Sequence, residues 1–206
     1  CSYTTNIHVG KKKDGSRSAT IYVGKNFVHL PKVGDVRICK HRSPKNGWYV
    51  KSATVERTKS GKYFITILFE FEEVIVPVEV KNSIGLDYSS HDFYVDSNGD
   101  VANYPRFYRR MEAKLTREQR KLSHMRYGSK NYEKQKHKVQ LFHEKVANQR
   151  RNFCQELSTA IAKRCDAVFV EDINLRGLAG SLKLGKSTND NGFGMFRNML
   201  EYKLRD

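Results

Sequence analysis

The amino-acid sequence predicts an α+β fold: an all-β block followed by a mixed block with long helices. Three features carry that expectation. Residues 1–80 hold short β-type runs cut by Gly and Pro turns, residues 84–104 read as a further strand meander, and residues 106–164 are almost free of turn residues and take up helical periodicity. A chain of 206 residues makes one large domain or two small ones, and the break in composition places the domains at 1–80 and 81–206.

In the first block the expected strands are Thr20 to Val23, Val36 to Cys39, Trp48 to Val55 and Tyr63 to Phe71. The turns Pro31 to Asp35, Ser43 to Gly47 and Lys59 to Gly61 separate them. Short runs at this spacing suit a small antiparallel barrel or sandwich, and basic residues near its turns, Lys11 to Lys13, Lys40, His41 and Arg42 among them, are consistent with an oligonucleotide-binding β-barrel. Val74 to Val80, interrupted by Pro77, reads as the linker out of it.

The second block opens with Ile84 to Ser89, His91 to Asp96 and Val101 to Tyr104, a three-stranded meander turning at Asn98-Gly99 and closed by Pro105. Gly128 and Ser129 divide the following helical stretch in two. The longer helix carries an apolar stripe, Val139, Phe142, Val146, Phe153, Leu157 and Ile161, whose steps let one side pack on a sheet. A short strand, Ala167 to Val170, leads into a loop through Asn174, Gly177 and Gly180. The final helix has Ser187, Thr188, Asn189 and Asp190 as candidate caps and Phe196, Met199, Leu200 and Leu204 on one face. Three strands, a long helix and another strand are the opening of an RNase H-like layout, here incomplete at its C-terminal end.

Such a sheet presents acidic side chains from the ends of neighbouring strands. Asp87, inside the apolar run Ile-Gly-Leu-Asp-Tyr-Ser, is the first candidate metal ligand, because a charge amid apolar neighbours is costly unless paired or metal-bound. Alternation puts Gly85, Asp87 and Ser89 on one face and Ile84, Leu86 and Tyr88 on the other. The bland alternative is a carboxylate that ends a strand and caps a turn. The second candidate follows the next strand, where Glu171 and Asp172 stand side by side; they point oppositely in a regular strand, and the residues alone do not choose between them. Hydrolysis of a phosphodiester by two divalent ions needs bridging acids, for which two carboxylates are few. Asp190, Glu201 and Asp206 are better read as caps or solvated charges.

Thirty-eight Lys and Arg against 22 Asp and Glu leave a formal charge of +16, which favours a polyanionic partner. Between Arg106 and Arg151 there are 15 Lys and Arg, 4 Glu and no Asp. Arg109, Arg110, Arg117, Arg120, Arg126, Lys130, Lys134, Arg150 and Arg151 are the candidate phosphate contacts, and Phe107, Tyr108, Tyr127 and Tyr132 the candidate stacking groups. Taken singly, each is as well explained by a solvated helix face; the cluster carries the argument. No spanning apolar run, signal peptide or lipidation motif is found, so the expected location is cytoplasmic with no membrane partner. Cys1, Cys39, Cys154 and Cys165 lie far apart with no metal-ligand spacing and are expected to be reduced thiols.

Leu30-Pro31-Lys32-Val33-Gly34, the stretch Ser52 to Phe71, Ile84 to Ser89, Phe169-Val170-Glu171-Asp172-Ile173-Asn174, His143 to Arg150 and Gly192-Phe193-Gly194 through Lys203 together resemble the TnpB-type proteins of insertion sequences (the OrfB transposase family), relatives of the type V CRISPR nucleases. The order and spacing of the pieces make the resemblance specific from about residue 29 onward. It implies a wedge-type barrel followed by a RuvC nuclease domain, cleavage of target DNA directed by a guide RNA, magnesium or manganese in the active site, and no small-molecule cofactor. It further implies that Asp87 and Glu171, rather than Asp172, are catalytic and metal-binding. Zinc belongs to a C-terminal cysteine ribbon that this sequence lacks, as it lacks a third catalytic Asp and a helical insertion near the start. The expectation is therefore a fragment of an RNA-guided endonuclease, inactive by itself, with a nucleic-acid-binding protein that has lost catalysis as the alternative.

Overall fold

In the computed structural model the described residues are 2–4, 20–72, 79–174, 177 and 192–205. Lys11 to Lys13, most of the Val74 to Val80 linker, Gly180, the Ser187 to Asp190 caps and Asp206 lie outside them. The chain divides into two compact units, Cys1–Val76 and Pro77–Asp206, and is α+β, with antiparallel strand pairing in both. No helix among the described residues is long and apolar enough to cross a membrane.

The first unit contains β1 (Ser2–Thr4), β2 (Tyr22–Val23), β3 (Phe27–Leu30), β4 (Gly34–Arg37), β5 (Tyr49–Arg57) and β6 (Tyr63–Glu70). They form two three-stranded sheets, β1-β5-β6 and β2-β3-β4. Ile21, Val28 and Leu30 share one buried cluster with Ala53, and Ile65 and Ile67 pack against it, so residues of both sheets build a common core. One strand was not expected, and one is shifted. Phe27–Leu30 is a strand of its own, with His29 opposite Tyr22 and Asp35. The strand expected at Val36 to Cys39 instead spans Gly34–Arg37, because pairing Val28 with Val36 brings apolar side chains together on the core side. The β5–β6 hairpin turns through Thr58–Lys62. There Gly61 takes φ 87°, a left-handed conformation that costs a glycine little, while Thr58 Oγ1 accepts from the Lys62 N–H at 3.0 Å.

The second unit contains β7 (Ser83–Ser89), β8 (Phe93–Asp96), α1 (Phe107–Ser123), α2 (Lys130–Arg164), β9 (Ala167–Val170) and α3 (Phe193–Arg205). The sheet order is β8-β7-β9, with β8 antiparallel and β9 parallel to β7. Val101 to Tyr104 does not form the third meander strand; a single bridge, Val95 to Val101, is all that pairs. The Asp96 carboxylate captures the N–H groups of Asn98 and Asp100 at 2.9 and 3.0 Å, and Asn103 takes φ 48°, which turns the chain out of the extended conformation. Tyr104 enters the core instead, its ring 5.7 Å from that of Phe93.

Helix α2 starts where Ser129 Oγ accepts from the Tyr132 N–H at 3.1 Å, and its 35 residues extend about 50 Å. Ile84 and Leu86 of β7 join Cys154 and Ile161 of α2 and Phe193, Phe196 and Leu200 of α3 in one buried cluster. Phe93 is fully buried at its centre, with edge-on rings of Phe153, Phe193 and Phe196 at 5.2–5.5 Å. Helices thus cover the face of the sheet that carries Ile84 and Leu86, and Gly85, Asp87 and Phe169 belong to the opposite face.

Candidate metal centre and nucleic-acid surface

The parallel ladder pairs Gly85 with Phe169 and Leu86 with Val170. The next residues along the two strands are Asp87 and Glu171. Parallel neighbours lie about 4.8 Å apart, so this register sets two carboxylates side by side at the C-terminal edge of the sheet. Both line one open cleft of about 560 Å³ together with Gly85, Val95, Asp96, Ser97 and Phe169. Both are exposed, and neither makes a hydrogen bond or ion pair among the described residues. A Cβ added at Gly85 would meet Ser97 Cβ at 3.7 Å, an ordinary contact, so the glycine widens the cleft rather than relieving a clash.

Neighbouring acids have other work. Asp172 pairs with Arg197 of α3 at 3.1 Å and does not line the cleft. The chain turns straight after Glu171, whose carbonyl accepts from the Ile173 N–H at 3.1 Å, so the strand does not run regularly through both acids. Asp96 is buried, and its remaining oxygen accepts from Arg164 at 3.4 Å. Glu201 pairs with Arg205 at 2.6 Å; Asp190 and Asp206 lie outside the described residues. Among the described residues no group of three or more His, Cys, Asp or Glu is placed to hold a metal ion.

Asp166 went unnoticed as a positioning residue. Its Oδ2 accepts from the N–H groups of Asn82 and Lys81 at 2.9 and 3.1 Å, which hold its carboxyl below the usual carboxylate range. The Asp166 N–H in turn donates to the Asn82 carbonyl at 2.8 Å. This clamp joins the start of β9 to the start of β7, and so fixes the register that sets Asp87 beside Glu171. An Asp between a helix end and an apolar strand is the only signal it leaves in the sequence. Asp166→Ala is expected to speed amide exchange along β7 and β9, and Asp166→Asn, which keeps one acceptor oxygen, to do so less. Equal protection in all three proteins would contradict the clamp.

The basic residues fall on α1, the turn after it and α2. Arg109, Arg110, Arg117, Arg120, Arg126, Lys130, Lys134 and Arg151 are exposed. Arg117 and Arg120 share a groove of about 510 Å³ with Thr116, Lys121 and His124; Lys121 and His124 were not singled out in the sequence. Arg150 is half-buried, its stem against Gly192, where a Cβ would come within 2.8 Å of the Arg150 Cδ. Phe107 is corrected from a stacking group to a core one, packed edge-on against Tyr104 at 5.5 Å. Tyr127 stays exposed with its ring 5.0 Å from that of Tyr132.

The two helices are pinned by Glu118, buried at their interface. It accepts from Gln135 Nε2 and Lys138 Nζ, each at 2.9 Å, and from Lys121 Nζ at 3.3 Å. The Gln135 hydrogen bond first, then Lys138, hold its carboxyl down at about 2. A carboxyl depressed from 4.5 contributes stability that is fully present above pH 4.5 and is lost as pH falls toward 2. Far-UV circular dichroism should show helix loss across that window, and Glu118→Gln should be less stable at neutral pH with a flatter acid response. An unchanged acid profile in the variant would remove Glu118 from this role.

Fold and site together define a mixed α+β protein with two adjoining open carboxylates and a strongly cationic helical hairpin. The chain belongs to the OrfB_IS605 family, "Probable transposase", whose model matches residues 66–182. It is 31% identical over 153 residues to a Streptomyces pristinaespiralis protein named "Putative RNA-guided DNA endonuclease", covering 74% of this chain and 38% of that protein. It is 31% identical over 192 residues to the Escherichia coli K12 "Putative RNA-guided DNA endonuclease InsQ", covering 85% of this chain and 47% of that protein. The chain therefore spans less than half the length of these curated relatives.

Proposed function

We propose that this chain is part of an RNA-guided, divalent-metal-dependent DNA endonuclease, with its first unit an oligonucleotide-binding barrel of the wedge type and its second an incomplete RNase H-like RuvC domain. One observation carries the reading: Asp87 and Glu171 follow paired residues of a parallel ladder and open into the same cleft, without partners among the described residues. In a chain of +16, two carboxylates that no cation among the described residues neutralises are a natural seat for a metal ion. Magnesium and manganese are hard cations, and magnesium is commonly held by one or two carboxylates while keeping several waters, so the donor set fits. When bound, such an ion supplies Lewis-acid withdrawal of charge from a scissile phosphate.

The residues of the chain do the rest. Asp87 and Glu171 would hold the ion from adjacent strands, and the Asp166 clamp keeps them adjacent. Arg117, Arg120 and Lys121 bind backbone phosphates of guide RNA or target DNA along α1. Titration with manganese, followed by water-proton relaxation, tests the centre. Asp87→Ala and Glu171→Ala should each abolish the enhancement, and Asp172→Ala should leave it intact. Relaxation enhancement that is the same in the parent chain and both of the first variants would overturn the assignment.

A further inference from the structure

The first unit holds a cleft of about 280 Å³ that the nuclease reading does not use. Val23, Ile38, Ile65 and Ile67 line it as apolar residues, together with the half-buried Trp48. The Trp48 indole is stacked on Phe71 at 4.8 Å and 12°, and Lys45 Nζ lies 5.6 Å from its ring centre. The consecutive residues Lys40, His41 and Arg42 line it, with Lys40 Nζ donating to the Gly24 carbonyl at 3.1 Å, and among the described residues no Asp or Glu lines the cleft. An apolar slot at the small end of ligand-pocket volumes, with an aromatic wall and a cationic lip, matches one flat heteroaromatic ring joined to an anion.

We infer that this cleft receives a single unpaired nucleobase, stacked beside Trp48, while the adjoining phosphate rests on Lys40 and Arg42. The inference rests on the reading of the chain as a nucleic-acid-handling protein and adds a subsite to it. A paired base is stacked on both faces and its edge is engaged, so a duplex offers this slot nothing; an unstacked base in a single strand does. The Lys45 ammonium, on a flexible stem, moves from the indole toward the phosphate as the base enters. Stacking needs no hydrogen-bond readout, so the slot accepts any base.

Trp48 is the only tryptophan of the chain and therefore a direct reporter. The experiment titrates the chain with oligouridylate, oligothymidylate and a blunt DNA duplex of equal length, at low salt and in a chelator of divalent cations. Single strands should quench Trp48 emission saturably and the duplex should not; a response to oligouridylate alone would assign the slot to RNA, and to both, to single strands in general. In anisotropy with labelled strands, Trp48→Leu should lose about five- to 150-fold in single-strand affinity, the range that base–aromatic stacking is worth, and keep its duplex affinity. Lys40→Gln with Arg42→Gln should weaken the quenching titration without moving the emission of the free protein.

A second reporter does not depend on altering Trp48. Cys39 lines the cleft and is exposed, whereas Cys154 and Cys165 are buried, and burial pushes the Cys154 thiol up to about 11. In a Cys1→Ser background, bound single strand should slow thiol labelling at Cys39. Unaltered Trp48 emission when labelled strand is saturated, or equal single-strand affinity in Trp48→Leu, would overturn the inference. Asp87→Ala should give the same Trp48 signal as the parent chain, so failure of the metal centre and failure of this subsite are separate results.

Discussion

Asp87→Ala, introduced into the product of the complete open reading frame and assayed with its guide RNA and magnesium, is expected to lower DNA cleavage by at least about a thousandfold. Lewis-acid stabilisation at a phosphoryl group is worth several kcal/mol, and each 1.36 kcal/mol is tenfold in rate. The side chain lost is one of two exposed carboxylates that line the cleft, and among the described residues no neighbour takes its place: Asp96 is held by two backbone N–H groups and Arg164, and Asp172 is held by Arg197. Glu171→Ala should fall as far. Asp172→Ala should cleave within a fewfold of the parent, which separates loss of a ligand from loss of local negative charge. Chelation of the divalent ion should reproduce the Asp87→Ala rate, and residual cleavage that still responds to magnesium in that variant would refute its role.

The second large effect is on binding. The affinity of this chain for duplex DNA should fall by about 10³- to 10⁵-fold between 50 and 200 mM salt, the loss that accompanies six to ten neutralised phosphates. Arg117, Arg120 and Lys121 lie in one groove, so removing the first two together should flatten the slope of log K against log salt by roughly 1.8. Arg150 packs its stem against Gly192, and Arg150→Ala should cost stability before it costs phosphate affinity. A binding constant indifferent to salt would contradict the proposed cationic surface altogether.

Much of this was legible from residue order. Short β-type runs between turn residues located β5 to β8, the 3.6-residue stripe located α2 and the last helix, and a carboxylate inside an apolar strand singled out Asp87. These are local signals, written by the geometry of one segment. The short strand Phe27–Leu30 was missed because four residues between turns carry too little pattern. The failed strand at Val101 was decided by the Asp96 carboxylate and the φ of Asn103, neither of which alternation reports.

The sequence by itself determined the α+β class, the positive charge and the presence of an acid at the end of each of two strands. Only the tertiary structure decided which acids meet. Asp87 and Glu171 are 84 positions apart, and the parallel pairing of Ser83 with Ala167 has that same offset. That offset depends on α2 crossing the sheet and on Asp166 binding the amides of Lys81 and Asn82, contacts between residues remote in the chain. A pattern within one segment fixes which face a side chain takes; the partner across the ladder is set by long-range hydrogen bonds and core packing, which leave no periodic trace.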